Sequence, residues 1–327
     1  MSTLPLPNNQ CLHGDENAES LYLQLDLQQP IHVQFQGCNP RQVIASEALS
    51  AQSIWLVSYW LFAQDAGCQQ VYWQLPAVSV EALRSGLLHR DASGVLRVER
   101  TTFWQLPTPW LQVTQGVPYP QQMVISDGKR HPRRAVKPSG ELYRRFDARL
   151  GSWISLRALD IDADLQRFNR WQNNPRVSAF WQEEGSLEQH RQYLEKLESD
   201  PHTLTLIGSF DDQPFAYFEA YWAKEDRIAP FYAAGDYDRG IHMLVGEENH
   251  RGPHKVASWL SALTHFLFLD DPRTQRLVAE PRADNAKMIG YMQSVGFHCQ
   301  KEFDFPHKRA ALMAIERERF FDRCALR

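Results

Sequence analysis

The sequence predicts an α/β protein in two parts: an α/β accessory domain over residues 1–140 and a mixed sheet flanked by helices over residues 141–327. Three observations predict it. At 327 residues the chain exceeds the usual size of a single hydrophobic core. Residues 127–141, DGKRHPRRAVKPSGE, are polar, basic and broken by two prolines and two glycines, which marks a boundary. Beyond them the apolar periodicity changes repeatedly, in the order strand, helices, three strands, helix, strand, helix, two strands.

In the first part, residues 31–36, 70–75 and 110–114 read as strands, and residues 46–64 carry apolar residues at helical spacing. No chemistry stands out there. The part reads as a degenerate partner domain, an oligomerisation surface or a lid. In the second part residues 152–159 read as a strand, and Asp160 to Asp164 start a helix that Pro175 ends. Ser186 caps the next helix, with Glu188 and Gln189 in its first turn. Residues 203–210 and 215–223 form a hairpin about the turn DDQP. A strand at 240–246, a helix at about 254–268, a strand at 276–281 and a helix at 285–295 follow, the last closed by Gly296. Two final strands lie in FHCQKEFDF and AALMAIER.

Bulk properties exclude several classes. The net charge of -4 argues against a nucleic-acid binder, which shows a basic face. Five widely spaced cysteines, Cys11, Cys38, Cys68, Cys299 and Cys324, give neither a disulfide framework nor metal spacing, so a reduced, cytoplasmic protein without a metal is expected. The first residues lack the basic-then-apolar pattern of a signal peptide, and no run approaches the ~20 apolar residues that span a bilayer.

Chemistry collects in the second part. In residues 242–260, HMLVGEENHRGPHKVASWL, a strand ends at Gly246 and a helix starts near His254. Unpaired N–H groups at a helix start, with Arg251, Gly252 and Lys255, make an anion site that suits a pyrophosphate. An ordinary loop before a basic helix gives the same pattern. Glu280 ends a strand, where ligands gather in open α/β sheets, and Asn285 begins the next helix as its cap. His242 is either a satisfied core histidine or a general base.

Five collinear blocks, at 168–181, 206–228, 238–254, 271–285 and 301–310, resemble the siderophore-biosynthesis branch of the GNAT acyltransferases, most of all its N-hydroxylysine acetyltransferases. The resemblance spans about residues 140–321, with weaker extensions at 103–107 and 143–150. It implies a mixed sheet whose central strands splay to admit acyl-CoA, and lets the first part be read as a degenerate copy of that fold. It implies a catalytic pair of His242 and Glu280, with Tyr291 as thiolate acid or core residue. Acyl-CoA, acetyl-CoA by preference, is implied to meet Leu244, Val245, Arg251, Gly252, His254, Lys255 and Asn285. The family's phosphate loop carries spaced small residues where this chain has His254 and Val256.

The implied reaction acylates the hydroxylamino nitrogen of N-hydroxylysine to a hydroxamate, with Glu280 orienting His242 and a backbone N–H near Leu244 or Val245 polarising the carbonyl. Trp171, Asn173, Arg176, Trp181, Glu183 and Trp222 are expected around the amine. Arg176 reads as a carboxylate clamp or a surface ion pair. Rival readings are succinyl-CoA-dependent acylation of N-hydroxyputrescine or N-hydroxycadaverine, and a non-catalytic acyl-CoA-binding scaffold. A siderophore synthetase partner and self-association are left open.

Overall fold

The computed structural model describes residues 2–26, 28–37, 42–113, 121–323 and 326. Cys38, Cys324 and Thr114, the last residue of the strand expected at 110–114, lie outside them. The chain divides into two compact units. One comprises Met1–Trp110, Phe146–Gly151 and Phe321–Arg327, the other Leu111–Arg145 and Ser152–Phe320.

The first unit holds β1 (Ser2–Pro5), β2 (Cys11–Glu16), β3 (Ser20–Leu25), β4 (Ile31–Gln36), β5 (Gln42–Ile44), α1 (Ala51–Gln64), β6 (Gln70–Gln74), α2 (Val80–Arg84), β7 (His89–Arg90), β8 (Leu96–Glu99) and α3 (Arg100–Phe103). Its sheet runs β1-β2-β3-β4-β5-β6-β8-β7. The helix expected over 46–64 starts at Ala51, because the Ser50 side chain accepts from Ser53 N and caps it there. The strand expected at 110–114 is reduced to one bridge, Leu111 with Tyr143. Pro107 and Pro109 precede it, and proline cannot donate to a ladder.

The second unit begins with β9 (Met123–Ser126), β10 (Lys129–Pro132), β11 (Glu141–Asp147), β12 (Ser152–Ala158), α4 (Ile161–Gln172), α5 (Pro175–Trp181) and α6 (Leu187–Ser199). It continues with β13 (Thr203–Phe210), β14 (Gln213–Trp222), β15 (Arg239–Val245), α7 (Pro253–Asp270), β16 (Arg276–Ala279), α8 (Ala286–Val295), β17 (His298–Asp304), β18 (Arg309–Glu316) and the start of α9 (Arg317–Asp322). Pro175 does not merely stop a helix. It occupies the first position of α5, where a missing N–H costs nothing, behind the Asn174 cap. Segment 127–141, read as a boundary, is tied to the second unit. Arg134 pairs with both carboxylate oxygens of Glu225 at 2.5 and 2.6 Å, and Lys137 donates to the carbonyls of Leu197, Asp200 and Thr203 at 2.7 to 3.1 Å.

The larger sheet runs β11-β12-β13-β14-β15-β16-β18-β17, the same order that the first unit shows. In each, the one parallel step follows a helical crossover, β5–α1–β6 or β15–α7–β16. Two registered pairs, Arg239 with Leu277 and Gly240 with Val278, are all that join β15 to β16. Past them the strands part. This fork positions the site.

Candidate active site

His242 lies two residues beyond the last pair on β15, and Glu280 two residues beyond it from β16. Their side chains bridge the fork, His242 Nε2 to Glu280 Oε1 at 2.5 Å. On the other flank β14 pairs in register with β15, setting Glu219 opposite His242. Glu219 Oε2 lies 2.7 Å from His242 Nδ1. The sequence reading missed Glu219. Its signal was present: a lone carboxylate in the apolar strand FAYFEAYWA must find partners when buried.

The partners are tyrosines. Tyr193 and Tyr217 hydroxyls donate to Glu219 Oε1 at 2.6 and 2.8 Å, and Tyr221 donates to Glu280 Oε2 at 2.6 Å. Burial and the adjoining carboxylates raise all three phenols, so they stay protonated donors. Burial opposes charge on His242, but Glu280 and then Glu219 outweigh it and push the imidazolium up to about 10. Burial likewise opposes charge on Glu280, and His242 more than offsets it, holding the carboxyl low. At neutral pH the ring is thus a cation between two buried carboxylates, and both nitrogens donate. A free imidazole lone pair does not exist in this arrangement.

At the far end of β15, Gly252 opens α7 with φ 112° and no side-chain cap. Pro253 has no N–H and Val256 N donates to Gly252 O at 3.0 Å, so the backbone N–H groups of His254 and Lys255 are the ones left for an anion at the start of this 18-residue helix. Arg251, Gly252 and Asn285 line the adjoining cleft, and Asn285 also caps α8 through Met288 N at 3.1 Å. The side chains of His254 and Lys255 do not line it. Lys255 instead reaches His250 Nδ1 at 3.2 Å and lies over the Phe210 ring.

The carbonyls of Met243 and Val245 accept from Trp181 Nε1 at 3.3 Å and Arg176 Nη2 at 2.9 Å, outside the β14 ladder. A strand residue points its N–H and C=O to the same side. The Val245 N–H therefore faces the fork, and the Leu244 N–H faces β14. The Leu244 side chain is buried with Phe168, Trp171 and Tyr217.

The residues expected around the amine separate. Arg176, Trp181 and Glu183 line the cleft with His242, Glu280 and Tyr291. Trp171 is buried in the core, its Nε1 2.9 Å from Glu247 Oε1. Asn173 staples the turn at Gly185, donating to its carbonyl at 2.9 Å and accepting from its N–H at 3.0 Å. Trp222 lies between the guanidinium groups of Arg134 and Arg239, at 4.1 and 4.2 Å, away from the cleft. Arg176 donates to the carbonyls of Val245 and Gly246 and stands near Arg251. The cleft encloses about 1260 Å³, more than one small ligand fills and enough for two reactants.

A splayed mixed sheet, an uncapped helix start at one end of the gap and an acid–base cluster in its middle define an acyltransferase. Residues 160–305 match the GNAT acetyltransferase domain. A Schizosaccharomyces pombe protein described as a lysine N-acyltransferase is 48% identical over 71% of this chain and 70% of its own. Escherichia coli N(6)-hydroxylysine O-acetyltransferase is 44% identical over 70% of this chain and 73% of its own. A solved Bacillus halodurans protein of no assigned function superposes with a TM-score of 0.54 at 30% identity, covering 57% of this chain and 95% of that one. The chain belongs to the GNAT acetyltransferase family. Among the described residues no helix is long and apolar enough to cross a membrane.

Proposed function

We propose that the protein transfers an acetyl group from acetyl-CoA to the hydroxylamino nitrogen of N-hydroxylysine, forming a hydroxamate for siderophore assembly. Residues 141–327 carry the reaction and residues 1–140 are accessory. The reaction runs in the cytoplasm, and the product passes to a siderophore synthetase. The observation that carries this reading is the Glu219–His242–Glu280 cluster set in the fork beside the uncapped α7. The E. coli relative's hydroxylysine acetyltransferase name supports the substrate.

Acyl-CoA lies with its pyrophosphate on the first turn of α7 and Arg251, and its thioester in the fork. A hydroxylamine is less basic than an alkylamine, so it is neutral at pH 7 and attacks directly. As the C–N bond forms, the oxyanion meets the Val245 N–H. The nitrogen's proton passes to the Glu219–His242–Glu280 cluster, which takes it up as a unit. The C–S bond then breaks and the departing sulfur takes up a proton, with Tyr291 as the donor lining the cleft. The proton lost by nitrogen equals the proton gained by the thiol.

Attack through oxygen, as the E. coli relative's name has it, would give a product without the two-oxygen chelate. Incubation of N-hydroxylysine with acetyl-CoA, followed by ferric iron, separates the two: a coloured chelate marks the hydroxamate. Thiol release without any chelate would sink nitrogen acylation, and no thiol release would sink the proposal.

A further inference from the structure

We infer that Arg227 and Glu183 together read the α-carboxylate and α-ammonium of the acceptor, so that the enzyme selects N-hydroxylated amino acids over N-hydroxylated diamines. The inference rests on the hydroxylamine acylation proposed above.

Strand β15 runs from Arg239 to Val245, with His242 near its middle. One end of the cleft meets the start of α7. The other meets loop 223–238, where Arg227 lies. Arg227 is exposed, lines the cleft, and sits over the Phe305 ring at 5.4 Å. Among the described residues its guanidinium has this ring contact but neither an ion-pair nor a hydrogen-bond partner. Its charge nevertheless reaches both walls. It draws down the Glu183 carboxyl, which desolvation and Glu219 raise, and helps depress His307 and Lys308, which burial lowers first. Arg227 thus lies on the cleft wall within electrostatic reach of Glu183, His307 and Lys308.

Glu183 is its counterpart. Its carboxylate also lacks a hydrogen-bond or ion-pair partner among the described residues, and it lines the same cleft. Two opposite charges facing a cleft and left unpaired suit a zwitterion. The other cations at this end are less suited. Lys308 is drawn to the Glu280 carbonyl at 2.7 Å, and His202 is paired with Asp200. Lys196 is exposed and presents a point charge, whereas Arg227 offers a planar fork that matches a carboxylate.

The loop is fixed before substrate arrives. Arg134 and Lys129 hold Glu225, two residues before Arg227, and Ile228, one residue after it, is buried with Phe303 and Phe305. Segment 127–141 therefore acts as a brace for the recognition loop, which cuts the ordering cost of binding.

The test uses the full chain and three acceptors: N-hydroxylysine, N-hydroxycadaverine, which lacks only its carboxylate, and 6-(hydroxyamino)hexanoate, which lacks only its α-amine. A charge-assisted pair is worth about 10- to 100-fold in affinity. Arg227→Ala should raise KM by that factor for the two carboxylate acceptors and leave N-hydroxycadaverine unchanged. Glu183→Gln should raise it for the two ammonium acceptors and leave 6-(hydroxyamino)hexanoate unchanged. Lys196→Ala is the control and should alter none. Equal losses on all three acceptors, or no loss on N-hydroxylysine, would overturn the inference while leaving the acylation intact. A wild-type enzyme that acylates none of the three would remove the underlying function as well. Arg227→Lys should recover only part of the loss, since it restores charge without the fork.

Discussion

Glu219 stands directly across the β14–β15 ladder from His242, its Oε2 2.7 Å from Nδ1, while Glu280 holds Nε2 from the other side of the fork. A single carboxylate orienting a histidine leaves one nitrogen to work as a base. Two carboxylates leave none, and the catalytic unit becomes a shared-proton cluster that titrates as a whole.

This arrangement predicts that His242 stays doubly protonated through neutral pH. Nitrogen-15 NMR of labelled protein should show both ring nitrogens protonated until the pH nears about 10. A ring that titrates near 6.5 would defeat the clamp. The sign for stability follows. A raised histidine contributes fully below about 6.5 and loses that contribution as pH climbs through 10. The lowered Glu219 and Glu280 contribute above about 4.3 and lose it as pH falls through their depressed values. The cluster should therefore stabilise the fold most at about pH 5 to 6.5, which thermal unfolding across pH can check.

Glu219→Gln keeps the side chain's volume and removes one anion from the clamp. The imidazolium should weaken, moving the alkaline limb of the kcat profile to lower pH. The rate should fall about 10- to 100-fold, at or below the low end of what a general acid–base group contributes, because His242 and Glu280 remain. The KM for acetyl-CoA should hardly change, because the α7 end of the cleft is untouched. A uniform loss at every pH would instead indicate a structural role.

The local signals in the sequence were strong where one side chain decides the backbone. Ser186 and Gln189 form the reciprocal capping box, and Gly296 closes α8 with φ 117°. Asp211 and Asp212 make the two-residue turn between β13 and β14, both with positive φ. The fork was legible only through the resemblance, since nothing in GIHMLVG shows where a neighbouring strand departs. Glu219 depended on the β14–β15 register, which periodicity does not give. The main-chain partners of Arg176 and Asn173 were not legible for another reason. Both bind backbone carbonyls, and a polar side chain's choice between ligand and main chain is made by tertiary placement. In the first unit, strands of two or three residues, such as β7 and β5, fall below the length at which alternation can be read.

Gly252→Ala tests the anion site. The φ of 112° is outside what an alanine tolerates, so the first turn of α7 must reorganise. The KM for acetyl-CoA should rise about tenfold or more, as expected when one or two charge-assisted hydrogen bonds are lost. The KM for the hydroxylamine should be unaffected. A change confined to the hydroxylamine would remove the pyrophosphate from α7.

Gly240→Ala tests how the fork is built. Gly240 is the last residue of β15 paired to β16, and a Cβ there would fall 1.9 Å from the Tyr221 ring. That ring is fully buried, lies tilted against His242 with centroids 4.7 Å apart, and its hydroxyl donates to Glu280, so it cannot yield without disturbing the pair. Overpacking of a tight core costs about 1–3 kcal/mol, so thermal unfolding should come measurably earlier. The activity loss should exceed what that destabilisation explains at a temperature where the variant is fully folded. Tyr221→Phe separates the two effects. It keeps the ring and removes the hydroxyl, leaving Glu280 one donor short, so it should lower kcat with little change in stability relative to Gly240→Ala. Equal activity in wild type and Tyr221→Phe would show that the tyrosine serves packing alone.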